Sequence, residues 1–396
     1  SGLKKPRGLI NRWGRRALGM RPKPPPKYRI LVMMATNLPQ ALDEALLRPG
    51  RIDRIYKVGY PSKAGRIRTY EGYLNKVNHE LTFADIDKLA TITPYATGAS
   101  IKDMVNEALI NTIRNDREVI EWSDVIKAKH LKELGPPEDV EYIERERHAV
   151  ALHEACHAIV SYRACKHRAI DIATIEKGGT YLGMVASIPP EDQFTSWRSE
   201  FEGDIMVSLS SLAGERMFYE ADSTSGVSGD LAGATALATL MEGFWGMGST
   251  LASHGITRRA GVGGGTPPVG EDKDHDLLDT SLGRRIEHKL EELLERTEEL
   301  VKENRFEVLA VAQALETHKT ITGDDVEAII EGREGPLVDG RVYHRAEFEE
   351  MAERYHAQAL AAHKHHSEVL APLPMLDRVA SEPLPAASPS EDTTSG

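Results

Sequence analysis

The chain has 396 residues, 40% of them hydrophobic and 28% charged, and a formal net charge of -12. That length exceeds what one core fills, so more than one domain is expected, and the composition excludes both a membrane protein and a wholly disordered chain. The acidic balance argues against nucleic acid as the main partner, since duplex binding rests on clustered Lys and Arg that neutralise phosphates.

Cysteine is scarce, with only Cys156 and Cys165; this suits a reducing compartment, with the cytoplasm as the default. No run approaches the roughly 20 apolar residues that a membrane helix needs. The chain opens on Ser1 and Gly2 and stays basic and acid-free through Arg29. This reads as a Pro-rich linker over residues 1–28, around RPKPPPK, rather than as an Arg-rich transit peptide.

Arg29 to Ala35 (RILVMMA) then predicts a buried strand that delivers Thr36 and Asn37 at its carboxyl end, where ligands of open α/β sheets gather. From Asp85 to Ala128 the spacing is helical, broken at Pro94 and Gly98, with one helix through Met104, Leu109 and Ile113 and another through Val125. Gly135, Pro136 and Pro137 interrupt this pattern. A long amphipathic stretch then starts near Val140. Ile170 to Ile188 predicts short strands, and residues 200–219 and 231–247 predict helices separated by the loop STSGVSG. Residues 258–277 form an excursion rich in Gly, Pro and acid. Arg284 to Val301 predicts an amphipathic helix with Ile286, Leu290, Leu293, Leu300 and Val301 on the face that packs on its own domain. Beyond Glu368, Pro, Ser, Glu and Thr predict a disordered tail.

Chemistry concentrates in His153-Glu154-Ala155-Cys156-His157. Helical spacing puts the two imidazoles one turn apart on one face with a carboxylate beside them, which is a zinc clamp with a built-in base. Apolar neighbours on both sides, from Ala149 to Leu152 and from Ala158 to Val160, would bury both rings; a metal removes the cost of burying unpartnered ones. Catalytic zinc needs a third protein ligand. Val160 and Arg163 stand where a metzincin would have Gly and His, so that class is out. Glu176, Glu215, Asp222 and Asp230 remain as candidates, and composition alone would read Asp230 as a helix N-cap.

The HExxH helix, followed much later by a loop ending in Asp230-Leu231 and then Ala234-Thr235, resembles the FtsH-type metallopeptidases. The resemblance implies that Asp230 is the third zinc ligand. It also implies that Glu154 is the base that takes a proton from the attacking water, and that residues 183–187 present an edge strand to an extended peptide. Cys156, where the family usually has Gly, and the loop around Val227 depart from its pattern.

Upstream, Thr36-Asn37 and the run Leu42 to Arg54, containing Arg48-Pro49-Gly50-Arg51, resemble the second region of homology of AAA ATPases. That likeness implies a sensor role for Asn37, arginine-finger roles in trans for Arg48 and Arg51, and a nucleotide-touching lid turn at Gly98-Ala99. No Gly-x-x-x-x-Gly-Lys-Ser/Thr phosphate loop and no preceding magnesium-binding acidic pair occurs in the sequence. ATP and magnesium are therefore expected for the complete protein only, and the present chain is expected to be a fragment.

The fold class expected is an α/β remnant of an AAA ATPase large subdomain (29–62), a helical lid (63–135) and a mainly α zinc peptidase domain with a small β element (136–332). A C-terminal extension (333–396) follows. The resemblance implies a Zn2+-dependent endopeptidase acting on proteins or peptides within a homohexamer. It places that protein in the cytoplasm, at the cytoplasmic face of a membrane where segments outside this chain anchor it. The alternative is a catalytically silent scaffold subunit. The run His363 to His366 is read as a solvated helix end, with a metal-binding cluster as the alternative.

Overall fold

The structure is a computed structural model. It describes residues 13–14, 17–19, 31–38, 42–47, 52, 54–136, 138, 141–178, 181–189, 193, 195–251, 281–335 and 340–374. The chain divides into two units, residues 1–59 and 60–396.

In the first unit the only described helix of more than two residues is α1 (Glu44–Leu47). The strand expected over 29–35 is not formed in its described part: residues 31–36 carry no ladder, and Leu31 and Met33 are each 84% exposed. A strand exists by pairing, and no described residue pairs with this one, so the α/β expectation for 29–62 is not met among the described residues. Arg48 and Arg51 lie outside the described residues, as do most of the linker, the excursion at 258–277 and the tail from 375.

The second unit holds two large cores and a small apolar cluster around Tyr355, Ala359 and Ala362. Four helices, α2 (Lys63–Leu74), α3 (Phe83–Ile92), α4 (Gly98–Arg114) and α5 (Trp122–Leu134), enclose Tyr70, Leu74, Leu89, Ile101, Met104 and Val125. The break read at Pro94 and Gly98 is the α3–α4 turn. Capping boxes at Thr82/Asp85 and Thr97/Ser100 satisfy the first amides of α3 and α4.

The larger core is built around α6 (Glu144–Ala164), whose stretch from Ala151 to Ser161 is buried apart from the half-buried His153. Against it pack α7 (Arg198–Phe218), α10 (Arg305–His318) and strand β1 (Ala169–Thr174). Strands β2 (Met184–Ile188) and β3 (Thr320–Thr322) flank β1, both antiparallel, in the order β2-β1-β3. Helices α8 (Ser228–Gly243), α9 (Ser281–Glu303), α11 (Gly323–Ile330) and α12 (Ala346–His365) complete the unit. Helix α9 lays Ile286, Leu293 and Val301 into this core against α7 and α8, as its periodicity predicts.

The β1–β2 register shifts between Ile170 and Ile172, leaving Asp171 as the bulged residue. Its carboxylate pairs with Lys129 of α5, whose side chain is fully buried and also pairs with Glu133 at 2.6 Å. This ion pair joins the two cores. At the far end, α12 finishes at an exposed terminus where His363 meets Asp222 at 3.0 Å and Lys364 meets Glu220 at 2.7 Å. That is the solvated helix end read from sequence.

Candidate metal centre

Helix α6 puts His153 and His157 one turn apart, with ring centroids 4.9 Å apart and planes at 69°. Each ring is oriented through its Nδ1. That of His157 donates to the Val207 carbonyl of α7 at 2.8 Å, with Ser210 Oγ at 3.1 Å. His153 Nδ1 sits 3.2 Å from Glu215 Oε1, also on α7. With Nδ1 engaged on α7, Nε2 is the ring atom that each histidine turns to the cleft. Both Nε2 atoms point at one oxygen, Asp230 Oδ2, at 3.3 Å each.

Asp230 is not an N-cap. Helix α8 starts at Ser228 with Val227 in the cap position, so Asp230 lies in the first turn and turns its carboxylate inward, where Ser211 Oγ donates to Oδ2 at 2.7 Å. Burial opposes charge here, yet hydrogen bonds to Asp230 and Glu215 raise the His153 pKa to about 10. Burial likewise works to raise the Asp230 carboxyl, but the bonds from His153 and His157 hold it well below the usual carboxylate range. One ligand atom from each of His153, His157 and Asp230 lies within 4.8 Å of the others. Two imidazole nitrogens and a carboxylate oxygen, mutually oriented, match the donor set of catalytic zinc.

Of the other candidates, Glu215 stands one step back, holding His153 while accepting from Thr224 N at 2.6 Å and Thr224 Oγ1 at 2.8 Å. Glu176 accepts from Thr320, and Asp222 is exposed beside His363. Glu154 is buried at the cleft wall; burial raises its pKa, only partly offset by His157 and His153. Gly183 lets β2 approach it, since a Cβ there would stand 2.7 Å from Glu154 Oε1. The cleft, of about 790 Å³, runs between the His153/His157/Asp230 triangle and Gly183, Met184 and Val185. Among the described residues, strand β2 is one of the two edges of the sheet, as anticipated for residues 183–187.

Residues 141–329 match the family model of peptidase family M41, and residues 84–127 that of the AAA+ lid domain. Residues 84–329 thus correspond to the lid and peptidase regions of FtsH-type M41 proteases. The chain is 31% identical over 313 residues to "ATP-dependent zinc metalloprotease FtsH 4" of Sphaerobacter thermophilus, covering 77% of this chain and 46% of that protein. Against "ATP-dependent zinc metalloprotease FtsH 1" of Rhodopirellula baltica it is 31% identical over 332 residues, or 81% and 46%. Against "ATP-dependent zinc metalloprotease YME1L1" of Mus musculus the figures are 28% over 310 residues, 78% and 42%. The chain thus spans less than half the length of these curated relatives.

Within this M41 domain, the departure at Cys156 has a packing explanation. Its Sγ fills the space beside Gly214 of α7, where a Cβ would stand 2.3 Å away. Burial raises the thiol far above its ordinary pKa, which makes Cys156 an inert packed residue rather than a reactive one. Sequence reasoning did not find Ser211, Thr224 or Val207. Each contributes a hydroxyl or a backbone group, which carries no recognisable spacing. Asn37 is exposed in a bend of the first unit, and Gly98 and Ala99 are exposed in the first turn of α4.

Proposed function

We propose that this chain is a zinc-dependent endopeptidase, the proteolytic part of an ATP-dependent AAA protease that degrades proteins. The observation that carries the reading is the convergence of both Nε2 atoms on Asp230 Oδ2 beside the buried Glu154. His153, His157 and Asp230 would hold the ion. Bound there, zinc supplies a Lewis acid that acidifies water and polarises a peptide carbonyl.

The remaining work falls to the chain's own residues. Glu154, its carboxyl raised by burial, takes the proton of the attacking water and delivers it to the leaving amine nitrogen. Glu215 and the Val207 carbonyl fix the two imidazoles so that Nε2 faces the cleft. The outer edge of β2 offers unpaired backbone groups along which an extended substrate adds as a further strand.

The nucleotide half is read from motif and family. Asn37 serves as sensor, Arg48 and Arg51 as fingers acting on a neighbouring subunit of a homohexamer, and Gly98-Ala99 as the lid turn, with Zn2+ here and ATP/Mg2+ in the complete protein. Residues 29–62, 63–135 and 136–332 are assigned to the large-subdomain remnant, lid and peptidase. The complete protein is placed at the cytoplasmic face of a membrane. No described helix is long and apolar enough to cross one.

The test is zinc content and casein cleavage of the purified chain and of Glu154→Gln. We expect at least one zinc ion per chain in both and cleavage only in the parent. Absence of zinc, or undiminished cleavage by the variant, would leave the chain a scaffold subunit. Phosphate release is expected to be undetectable, and ATP with magnesium should leave peptide cleavage unchanged.

A further inference from the structure

A second ligand cluster lies at the other end of the zinc helix, outside the cleft. Cys165 is the C-cap of α6, His167 follows in the turn leading to β1, and Asp204 projects from α7. One ligand atom from each lies within 4.8 Å of the others. His167 Nε2 and Asp204 Oδ1 are 3.2 Å apart, close to the 3.3 Å edges of the first triangle. The thiol is 2% exposed, forms no disulfide and makes no hydrogen bond among the described residues. Gly203 leaves room for it, since a Cβ there would stand 3.1 Å from Cys165 Sγ.

We propose that Cys165, His167 and Asp204 form a second site for a borderline-soft divalent cation of the zinc class, tying the end of α6 to α7. A sulfur, an imidazole nitrogen and a carboxylate oxygen form a donor set for zinc, whereas calcium and magnesium require oxygen ligands. Thiolate and carboxylate offset the two charges of the ion while the imidazole stays neutral, and Arg168 adds one positive charge at the outer side of the carboxylate. On binding, the Cys165 thiol proton passes to solvent, so affinity rises with pH. Arg168 Nη2 meets the other carboxylate oxygen, Oδ2, at 3.2 Å and orients the ligand as outer hydrogen bonds orient metal carboxylates. His167 and Asp204 keep 12% and 15% of their side chains exposed, which leaves an entry path from solvent. The site sits about 12 Å along α6 from His157, taking the helical rise over eight residues.

Cobalt substitution separates the two sites, because only the second contains sulfur. The chain is freed of metal and reconstituted with Zn2+ or Co2+, in parallel with Cys165→Ser, Asp204→Asn and, as a thiol control, Cys156→Ser. Two ions per chain are expected in the parent and in Cys156→Ser, and one in Cys165→Ser and Asp204→Asn. Thiolate-to-cobalt charge-transfer absorption should appear in the parent, survive Cys156→Ser and vanish in Cys165→Ser, while peptide cleavage persists in every variant. A single ion in the parent with no charge-transfer band would overturn the proposal and leave His167, Asp204 and Arg168 as an ion-pair cluster. Should the first site prove metal-free, the charge-transfer band still decides the second independently.

Discussion

Replacing Glu215 by Gln tests whether this carboxylate orients the metal site or belongs to it. Glu215 is buried and takes three contacts: His153 Nδ1 at 3.2 Å, Thr224 N at 2.6 Å and Thr224 Oγ1 at 2.8 Å. The glutamine amide has nearly the same volume but only one acceptor oxygen. Its NH2 must then face either the Thr224 amide or the His153 N–H, both donors, and the negative charge behind the imidazole is gone. Loss of such an outer-shell partner costs about 10- to 100-fold in metal affinity, or about 1.4–2.7 kcal/mol. The assay is zinc competition against a chromogenic chelator at fixed pH, with circular dichroism as the folding control. Unchanged affinity in a folded variant would refute the orienting role. A loss as complete as that of Asp230→Asn would instead make Glu215 a ligand.

Three further outcomes follow from the packing. Gly183→Ala would set a Cβ 2.7 Å from Glu154 Oε1, so peptide cleavage should fall at least about tenfold, as for a displaced proton-transfer group, while zinc content stays at the parent value. Lys129→Met strands the Asp171 carboxylate in the joint between the two cores and should cost about 3–5 kcal/mol in urea unfolding; adding Asp171→Leu should recover most of that loss. Burial, with His148 and Arg305 nearby, lowers the His356 pKa to about 3, from an ordinary value of 6.5. Because its folded pKa lies below the unfolded one, His356 contributes stability that is complete above pH 6.5. That stability is lost as pH falls toward 3, at up to about 1.4 kcal/mol per unit. His356→Gln should flatten this slope in denaturation series between pH 7 and 5, and an unchanged slope would assign the acid sensitivity elsewhere.

Patterns that repeat within one element were legible before any coordinates. The four-residue spacing of His153 and His157 follows from the helical period, as does the apolar face Ile286, Leu293 and Val301 of α9. The breaks at Pro94, Gly98 and Gly135 follow from backbone sterics, and helices α4 and α5 run between Gly98 and Gly135. The strand expected over 29–35 shows the limit of that reasoning. Its apolar run is compatible with a buried strand, but a ladder needs a neighbour, and no described residue supplies one.

The third ligand could not be reached by the same route. Asp230, Glu215, Asp222 and Glu176 are chemically equivalent candidates on paper, and local propensity favours reading Asp230 as a cap. What separates them is position in space. Helix α8 starts two residues before Asp230, which turns its carboxylate to both Nε2 atoms, while α7 holds Glu215 behind His153 and leaves Asp222 to His363. The free edge of β2 likewise depends on the order β2-β1-β3, and the Lys129–Asp171 joint on a bulge in β1. Each of these is a distance between segments far apart in the chain, set by how buried faces pack together rather than by the preferences of any one segment.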